Sequence, residues 1–387
     1  MNVRDGTADD EKHMSHALEL AAGGGGRVSP NPMVGAVIVS GGRVVGTGRH
    51  ERAGGPHAEI VAVRNAKGSA AGAALYVNLE PCVHEGRTPP CAPEVVRARF
   101  SRVVIGMKDP NPLVNGRGIR FLRARGIEVK TGVLRRECSR LNEVYVKHIT
   151  TGMPFVILKA ACTLDGRIAA RAGASKWITS AVSRRDAHAL RRDADAVLAG
   201  VGTVIADDPR LTCRLPGERA VPFRVILDSR LRIPPGSRVV KLGARDGRTI
   251  VFAVRGAPAR RAGELERRGC RVVFVSAGAD GRVSVPHVLK ELYRMGVCSL
   301  LVEGGGEVNA SFIAAKAVDK VVVYCAPMVV GGARSPGFVG GSGVPALSKA
   351  FRLRFEKVER LGPDVRIEAY PETGRSEGRC NFSVKDV

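Results

Sequence analysis

Residues 55–59 read GPHAE and residues 81–91 read PCVHEGRTPPC, and these two stretches decide the fold of the first half of the chain. They supply one imidazole, two thiols and one carboxylate, at His57, Cys82, Cys91 and Glu59. One His and two Cys suit zinc, because a catalytic zinc site keeps its fourth tetrahedral position for water. A carboxylate two residues after the imidazole is a candidate proton carrier for that water.

The sequence around these residues predicts that they converge. His57 opens a predicted helix, so Glu59 falls in its first turn. Cys82 follows the apolar stretch 74–79, a predicted strand, and α/β sheets present ligands at the carboxyl ends of their strands. Pro93 suits the first turn of a helix, which places Cys91 at a helix N-terminus. The positive end of that helix favours a thiolate.

A His-x-Glu motif followed by Pro-Cys-x-x-Cys is typical of zinc-dependent hydrolytic deaminases. This chain departs from that signature, because eight residues rather than two separate Cys82 from Cys91. One alternative stays open at this point. His84 lies in the insert and could be a fourth protein ligand, which would make the zinc purely structural.

Composition indicates an ordinary globular protein of 387 residues, with 44% hydrophobic residues and no apolar run long enough for a membrane span. Residues 1–10 are polar and partly acidic and lack the pattern of a signal peptide, so we expect a cytoplasmic protein. The nine cysteines are odd in number and irregularly spaced, which does not suggest a disulfide framework.

The net charge of +24 raises the alternative of a nucleic-acid partner. However, the arginines are dispersed through both halves, and aromatic residues make up only 4%, too few for extensive base stacking. We therefore expect no nucleic acid and no membrane, and favour small phosphorylated substrates as the partners.

Helix and strand patterns alternate along the chain and predict largely parallel sheets covered by helices, an α/β fold. The best boundary is TTGMP at residues 150–154. We therefore predict two domains, 8–150 and 151–371, followed by a polar tail at 372–387. A single helix is predicted over 137–149, and two strands turned at residues 362–363 are predicted near the end of the second domain.

The insert PCxHxGRTPPC resembles that of the bacterial bifunctional riboflavin-biosynthesis deaminase/reductase family. The motifs SPNPMVG at 29–35, GPHAE at 55–59 and DPNP at 109–112 match the same family. The resemblance implies an N-terminal three-layer domain of the cytidine-deaminase type. It also implies deamination of the 2-amino group of a diaminopyrimidinone that carries a ribosyl 5-phosphate. Asn31, His50 and Arg87 match substrate-contacting positions, and Arg87 would suit the phosphate.

The second half resembles the reductase half of that family, through KAACTLDGRIA at 159–169, SKWITS at 175–180, GTV at 202–204 and ADDPRLT at 206–212. The turn VEGGG at 302–306 is a weak signal alone, and it lacks the G-x-G-x-x-G spacing of a Rossmann dinucleotide site. The resemblance implies a dihydrofolate-reductase-like α/β domain that uses NADPH to reduce the ribosyl group to ribityl.

Residue roles follow from the same resemblance. The implied cofactor site consists of Ala161, Trp177, Thr203, Asp207, Ser229, Gly305, Gly306, Glu307, Val308, Asn309, Ala310 and Ser311. The implied substrate contacts are Ser175, Arg191, Leu211, Arg214 and Glu303, and Lys159 is a candidate catalytic helper. Arg191 and Arg214 suit a phosphate, although each could equally be a solvated surface charge.

Two further hypotheses are retained beside the bifunctional enzyme, for which the resemblance also implies a homo-oligomer. The first is an RNA base deaminase with an appended binding domain. The second is a chain in which one half has lost its activity and serves as a scaffold. Every zinc ligand, Glu59 and the glycine turn at 304–306 are present, which argues against such a loss.

Overall fold

The chain forms two separate sheets, one in each half. The computed structural model describes residues 3–86, 88–218 and 220–372, and the side chains from residue 8 onward within these ranges. The predicted tail lies outside the described residues, apart from Glu372. Among the described residues, no helix is both long enough and apolar enough to cross a bilayer.

The first sheet has five strands in the order β2-β1-β3-β4-β5. β1 and β2 form an antiparallel hairpin, and β3, β4 and β5 run parallel to one another. The strands are β1 (Gly35–Ser40), β2 (Arg43–Arg49), β3 (Ala74–Leu79), β4 (Arg102–Met107) and β5 (Glu128–Thr131). The helices of this half are α1 (Val3–Ala22), α2 (Ala58–Asn65), α3 (Cys91–Arg97), α4 (Arg117–Arg123), α5 (Arg135–Leu141) and α6 (Glu143–Thr151).

Alternation along the buried strands explains the three layers of this half. In β1, Ala36 and Ile38 pack into one apolar cluster, which includes Ala58 and Ala62 of α2. Their neighbours Val37 and Val39 face the opposite cluster, which includes Met14 of α1. Successive strand side chains point to opposite faces, so a fully buried strand needs a helical layer on each side.

The second sheet has nine strands in the order β10-β9-β8-β7-β11-β6-β12-β14-β13. The strands are β6 (Phe155–Thr163), β7 (Ala196–Gly200), β8 (Phe223–Leu227), β9 (Thr249–Val254), β10 (Cys270–Val275), β11 (Ser299–Val302), β12 (Lys320–Ala326), β13 (Leu353–Leu361) and β14 (Asp364–Pro371). The helices are α7 (Ala181–Asp193), α8 (Val201–Asp207), α9 (Arg238–Asp246), α10 (Ala259–Arg267), α11 (Val285–Arg294) and α12 (Gly306–Ala314).

Strands β6 to β12 of this sheet are parallel, and β13 and β14 form an antiparallel hairpin at one edge. Leu198 of β7 packs into the cluster on one face and Val197 into the cluster on the other. Three site residues, Cys82, Ser229 and Glu303, follow the carboxyl ends of β3, β8 and β11. They therefore lie at the edges of the two sheets where ligands of α/β folds bind.

The helix predicted over 137–149 is two helices, α5 and α6, separated at Asn142. The cause is a tertiary contact. The Asn142 side chain accepts a hydrogen bond from the Met33 N–H (2.8 Å) and donates one to the Met33 carbonyl (3.0 Å). The second half also contains α8 and α9, and β6 extends to Thr163. The two C-terminal strands turned at residues 362–363 are confirmed.

Helix α6 joins the two halves and contacts both. Lys147 binds Asp319 (2.7 Å), whose other carboxylate oxygen accepts the Val156 N–H at the start of β6 (2.9 Å). Glu143 accepts a hydrogen bond from the Tyr370 hydroxyl of β14 (2.8 Å). Helix α6 therefore belongs to the first half in sequence, but it packs against the second sheet.

We expect Gly48→Ala to destabilise the first half by about 2 kcal/mol, because overpacking a tight site costs about that much. A Cβ at this position would lie 2.2 Å from the Ala58 carbonyl oxygen and 2.4 Å from the Ala62 nitrogen of α2. Gly236→Ala is the matched control, since a Cβ there meets nothing within 4 Å. Urea unfolding of both variants tests the expectation, and equal midpoints would contradict it.

Candidate active sites

The first site forms where α2, α3 and the end of β3 meet. His57 is the residue immediately before α2, and α3 begins at Cys91, as the sequence predicted. The His57 Nδ1 atom lies 2.7 Å from the Cys91 sulfur and 3.6 Å from the Cys82 sulfur, and the two sulfurs are 3.6 Å apart. All described cysteines are free, so no disulfide competes for these thiols.

This donor set fits zinc. Tetrahedral zinc with metal–sulfur distances of about 2.3 Å and metal–nitrogen distances of about 2.0 Å separates its donor atoms by roughly 3.5–3.8 Å. Two of the three separations match that range, and the contact between His57 and Cys91 is shorter. Within the described ranges, these three residues are the only His, Cys, Asp or Glu group of three or more that could hold a metal. His84 is not a member, so the alternative of a four-ligand structural site gains no support.

Hydrogen bonds around the donors set their orientation and charge. The Thr88 hydroxyl lies 2.9 Å from His57 Nε2, which leaves Nδ1 to face the two thiols. The Cys91 N–H also points at the Cys82 sulfur, at 3.3 Å. A hydrogen bond from Cys91 holds the pKa of the Cys82 thiol below its usual value, although burial opposes this. The lowered pKa favours the thiolate, the form that binds metals.

Glu59 is buried next to the three donors, with 3% of its surface exposed. Burial raises the pKa of its carboxyl group above the usual value. It lines a cavity of about 380 Å³ together with His57 and Cys82. A buried carboxyl that opens onto a cavity beside a metal-type cluster is placed to exchange protons with a bound molecule.

The predicted substrate residues Asn31 and His50 line the same cavity. The Asn31 amide nitrogen is 3.0 Å from His50 Nε2, and His50 Nδ1 is 2.9 Å from the Pro56 carbonyl oxygen. His50 therefore donates through Nδ1 and accepts at Nε2, and burial lowers its pKa, which keeps the imidazole neutral. Arg87 lies outside the described residues.

Sequence reasoning did not single out Glu80, Asp109 or Tyr145 as site residues, although all three line this cavity. Tyr145 of α6 donates to the Asp109 carboxylate (2.9 Å), and burial raises the pKa of Asp109 to about 6. The Glu80 carboxylate accepts backbone N–H bonds from residues 109, 116 and 119 and so fixes the following loop. The motif at 109–112 was the available signal for Asp109.

The second site is a cavity of about 440 Å³ at the carboxyl edge of the larger sheet. It gathers eight of the eighteen predicted residues of the reductase half: Lys159, Ala161, Ser175, Trp177, Arg191, Asp207, Leu211 and Arg214. Ser175 donates to the Asp207 carboxylate (2.8 Å), which joins a predicted substrate residue to a predicted cofactor residue. Trp177 is 67% exposed, so it is a wall of the cavity and not part of the core.

Glu303 is buried next to this cavity and forms an ionic cluster with Arg191 and Lys159, which line it. Arg191 donates to both of its carboxylate oxygens (2.7 and 2.6 Å), and the Lys159 ammonium is 3.9 Å away. Although burial opposes ionisation, Arg191 and Lys159 lower the pKa of Glu303 to about 2. The third contact of Arg191 is the Thr212 carbonyl. Its guanidinium is therefore engaged within the protein in this structure, and its contact with the substrate stays a prediction.

A further cavity of about 440 Å³ is lined by part of the remaining predicted cofactor region. Ser229, Glu307, Val308 and Ser311 line it, together with the guanidinium groups of Arg230, Arg232 and Arg282. Gly305 faces Thr203, since a Cβ on the glycine would lie 3.7 Å from the Thr203 hydroxyl. Asn309 and Ala310 follow in α12, and the buried Asn309 Oδ1 has no hydrogen-bond partner among the described residues.

This cavity fits a phosphate-bearing cofactor. Gly304 and Gly306 have no room for a side chain, because a Cβ at Gly304 would lie 2.5 Å from Val308 and one at Gly306 would lie 2.7 Å from the Gly337 carbonyl oxygen. These glycines lead into α12, whose Glu307, Val308 and Ser311 line the cavity, and a glycine turn at a helix N-terminus suits the phosphates of a dinucleotide.

Comparison with known proteins agrees with this geometry. Residues 7–107 match the family of the cytidine and deoxycytidylate deaminase zinc-binding region, and residues 154–367 match the RibD C-terminal domain. The fold and the sites thus define a zinc-type deaminase domain joined to a reductase domain, which confirms the predicted fold class.

Similarity extends over nearly the whole chain. It is 42% identical to the riboflavin biosynthesis protein RibD of Bacillus amyloliquefaciens, over 95% of this chain and 97% of that protein. The corresponding Escherichia coli protein is 38% identical over 92% and 98%. The structure of Acinetobacter baumannii RibD (form 1) superposes with a TM-score of 0.85 at 35% identity, covering 95% of this chain and 100% of that one. The chain belongs to the RibD family.

Proposed function

We propose that this chain catalyses two successive steps of riboflavin biosynthesis. The first is hydrolytic deamination of a 2,5-diaminopyrimidinone that carries a 5-phosphoribosylamino group. The second is NADPH-dependent reduction of the ribosyl group of the product to a ribityl chain. The observation that carries the proposal is one chain that holds both a His-Cys-Cys donor set beside a buried Glu59 and a separate cavity next to a bare glycine turn.

In the deamination, His57, Cys82 and Cys91 would hold zinc, which would lower the pKa of a water molecule to about 7. Glu59 removes a proton from the attacking water and delivers it to the exocyclic amine. A carbon–oxygen bond forms, the carbon–nitrogen bond breaks, and the amine departs as ammonia. Asn31 and His50 orient the pyrimidine, and Arg87 contacts the phosphate. The neutral His50 accepts from the Asn31 amide and so fixes the direction in which Asn31 presents its amide oxygen.

In the reduction, NADPH would supply a hydride to C1 of the ribosyl group. Ala161, Trp177, Thr203, Asp207, Ser229 and the segment from Gly305 to Ser311 position that cofactor. Ser175, Leu211, Arg214 and Glu303 face the substrate, and Arg191 holds Glu303. Lys159 stabilises the negative charge that develops on the ring oxygen when it leaves C1. Burial lowers the pKa of Lys159, which makes its ammonium a readier proton donor.

The proposal assigns deamination to residues 8–150 and reduction to residues 151–371. Its direct test measures ammonia release and NADPH oxidation by the full chain on the phosphoribosylated diaminopyrimidinone. We expect ammonia release without NADPH, and NADPH oxidation only after the amine has been lost. NADPH oxidation on the diamino compound before any ammonia release would contradict the order, and no ammonia from the zinc-loaded chain would contradict the first activity.

Homo-oligomer formation and a cytoplasmic location stay predictions. Light scattering on the purified chain tests the first, because a monomeric mass at micromolar concentration would contradict it. Fractionation of cells that produce the chain tests the second.

Trp177 gives a direct measure of cofactor binding, because it is the only tryptophan of the chain. Its exposed ring lines the second cavity, with the Arg184 guanidinium 4.4 Å from the ring centroid. We expect its fluorescence to fall as NADPH saturates the site, since a nicotinamide beside the indole accepts its excitation energy. N-acetyltryptophanamide at equal absorbance is the control, and an identical fall in both samples would contradict the placement of Trp177 at the cofactor.

A further inference from the structure

The second cavity needs cationic or hydrogen-bonding groups for the phosphate of its substrate, and most of its basic residues are already engaged. Arg191 is committed to Glu303, Arg238 lies 3.4 Å from Asp208, and Arg184 donates to the Thr179 carbonyl and stacks on Trp177. Arg214 lines the cavity and has no carboxylate partner among the described residues. Arg214 is therefore a guanidinium available to an anion.

His188 is hydrogen-bonded to the backbone of Arg214. It lies on α7, three residues before Arg191, so both project from one face of the helix. The backbone N–H of Arg214 donates to His188 Nδ1 at 3.2 Å. Because Nδ1 accepts that bond, the ring proton must be on Nε2. His188 lines the cavity of about 440 Å³ and the adjoining one of about 520 Å³, and Nε2 has no partner within the described part of the chain.

The charges around His188 keep the imidazole neutral. Burial first, then Arg191 and Arg214, lower its pKa to about 4, with Lys159 acting in the same direction and Glu303 opposing. A protonated ring would also lose its bond to Arg214, because both nitrogens would then be donors. His188 thus presents a neutral Nε2–H donor of fixed tautomer beside the Arg214 guanidinium, for which the described part of the chain offers no carboxylate partner.

We propose that His188 is a positioning and specificity residue of the reductase site, whose Nδ1 anchors the backbone of Arg214 and whose Nε2–H binds the substrate phosphate beside that arginine. The inference rests on the proposed function and adds a phosphate ligand to it. The cation supplies the attraction, and the neutral donor fixes the direction of a phosphate oxygen.

Two substitutions distinguish the role of His188 Nδ1 from that of Nε2. His188→Asn places an amide oxygen near Nδ1, so it retains the anchor of Arg214 and loses the donor. His188→Gln places an amide nitrogen near Nε2, so it retains the donor and loses the anchor, and His188→Phe loses both. Deaminase activity of the same chains serves as the folding control, because its site lies on the other sheet.

The readout compares the phosphorylated reductase substrate with the same molecule lacking phosphate. We expect His188→Asn to raise KM for the phosphorylated substrate about 10-fold or more with a smaller change in kcat, because a hydrogen bond to a charged group contributes that much. KM for the unphosphorylated molecule should not change. Inhibition by inorganic phosphate should weaken by the same factor, and His188→Phe should be the weakest binder of all.

Equal effects on the phosphorylated and unphosphorylated substrates would overturn the proposal, as would unchanged inhibition by inorganic phosphate in His188→Phe. Failure of the proposed function is distinguishable, because the unsubstituted chain would then oxidise no NADPH with either molecule.

Discussion

The Glu59→Gln variant is expected to lose ammonia release by roughly a thousand-fold, because removing a positioned general acid–base group costs about that much. Glu59 is the buried carboxyl beside the zinc-type donors, and glutamine has nearly the same shape but cannot carry a proton. The cavity is therefore preserved while the proton transfer is lost. NADPH oxidation on the deaminated substrate should be unchanged, since that site lies on the other sheet.

Zinc content provides the control for this variant. The donors are His57, Cys82 and Cys91, and Glu59 is not one of them, so the variant should bind one zinc per chain. Cys82→Ser is the contrasting variant, which should lose both zinc and deamination. If Glu59→Gln lost both activities while remaining folded, the assignment of two independent sites would be wrong.

The Glu303→Gln variant is expected to reduce NADPH oxidation by at least about a hundred-fold and to destabilise the second half by about 3 kcal/mol. Loss of one partner of a buried ion pair costs that order of stability because it leaves the other charges uncompensated. Here Arg191 and Lys159 would both lose their carboxylate. Glu264→Gln is the matched control, because its partners Arg261 and Arg268 are partly exposed helix neighbours, and its effect should be within about 0.5 kcal/mol.

The ion pair between Glu303 and Arg191 also predicts how the stability of the folded chain changes with pH. The pKa of Glu303 is about 2 when folded, against a usual value of 4.5. A depressed carboxyl pKa stabilises the folded state above the unfolded value, and this contribution is lost as pH falls from 4.5 through 2. Thermal unfolding between pH 5 and 2 should therefore show an extra loss of stability in the unsubstituted chain that Glu303→Gln lacks. Parallel curves for the two chains would contradict it.

The metal-type cluster was predictable because its chemistry is carried by residue types at short spacing within predicted elements. His57 before a helix, Cys82 after a strand and Cys91 at a helix start all follow from local patterns. The pairing of Arg191 with Glu303 was not predictable, because 112 residues separate the partners and only the tertiary fold brings the end of α7 to the residue after β11. His188 was missed for the same reason, since its role depends on the backbone of Arg214.

The helices and strands also differ in whether the sequence alone predicts them. Strongly apolar strands and the glycine turn of the last hairpin were visible in the sequence. Helix α8 was not, because its glycine and β-branched residues give it a weak intrinsic preference and tertiary packing decides its conformation. The break at Asn142 depends on a contact with Met33, which lies 109 residues earlier in the chain.

Helix α6 has a consequence for any attempt to produce the two halves as separate proteins. Its Tyr145 and His148 line the deaminase cavity, and its Lys147 binds Asp319 beside the reductase sheet. A gene cut after residue 151 would give a deaminase fragment that lacks Asp319 and Tyr370, the partners of Lys147 and Glu143 on this helix. The two halves should therefore be produced as one chain, because contacts from the second half hold the helix that forms this wall of the deaminase cavity.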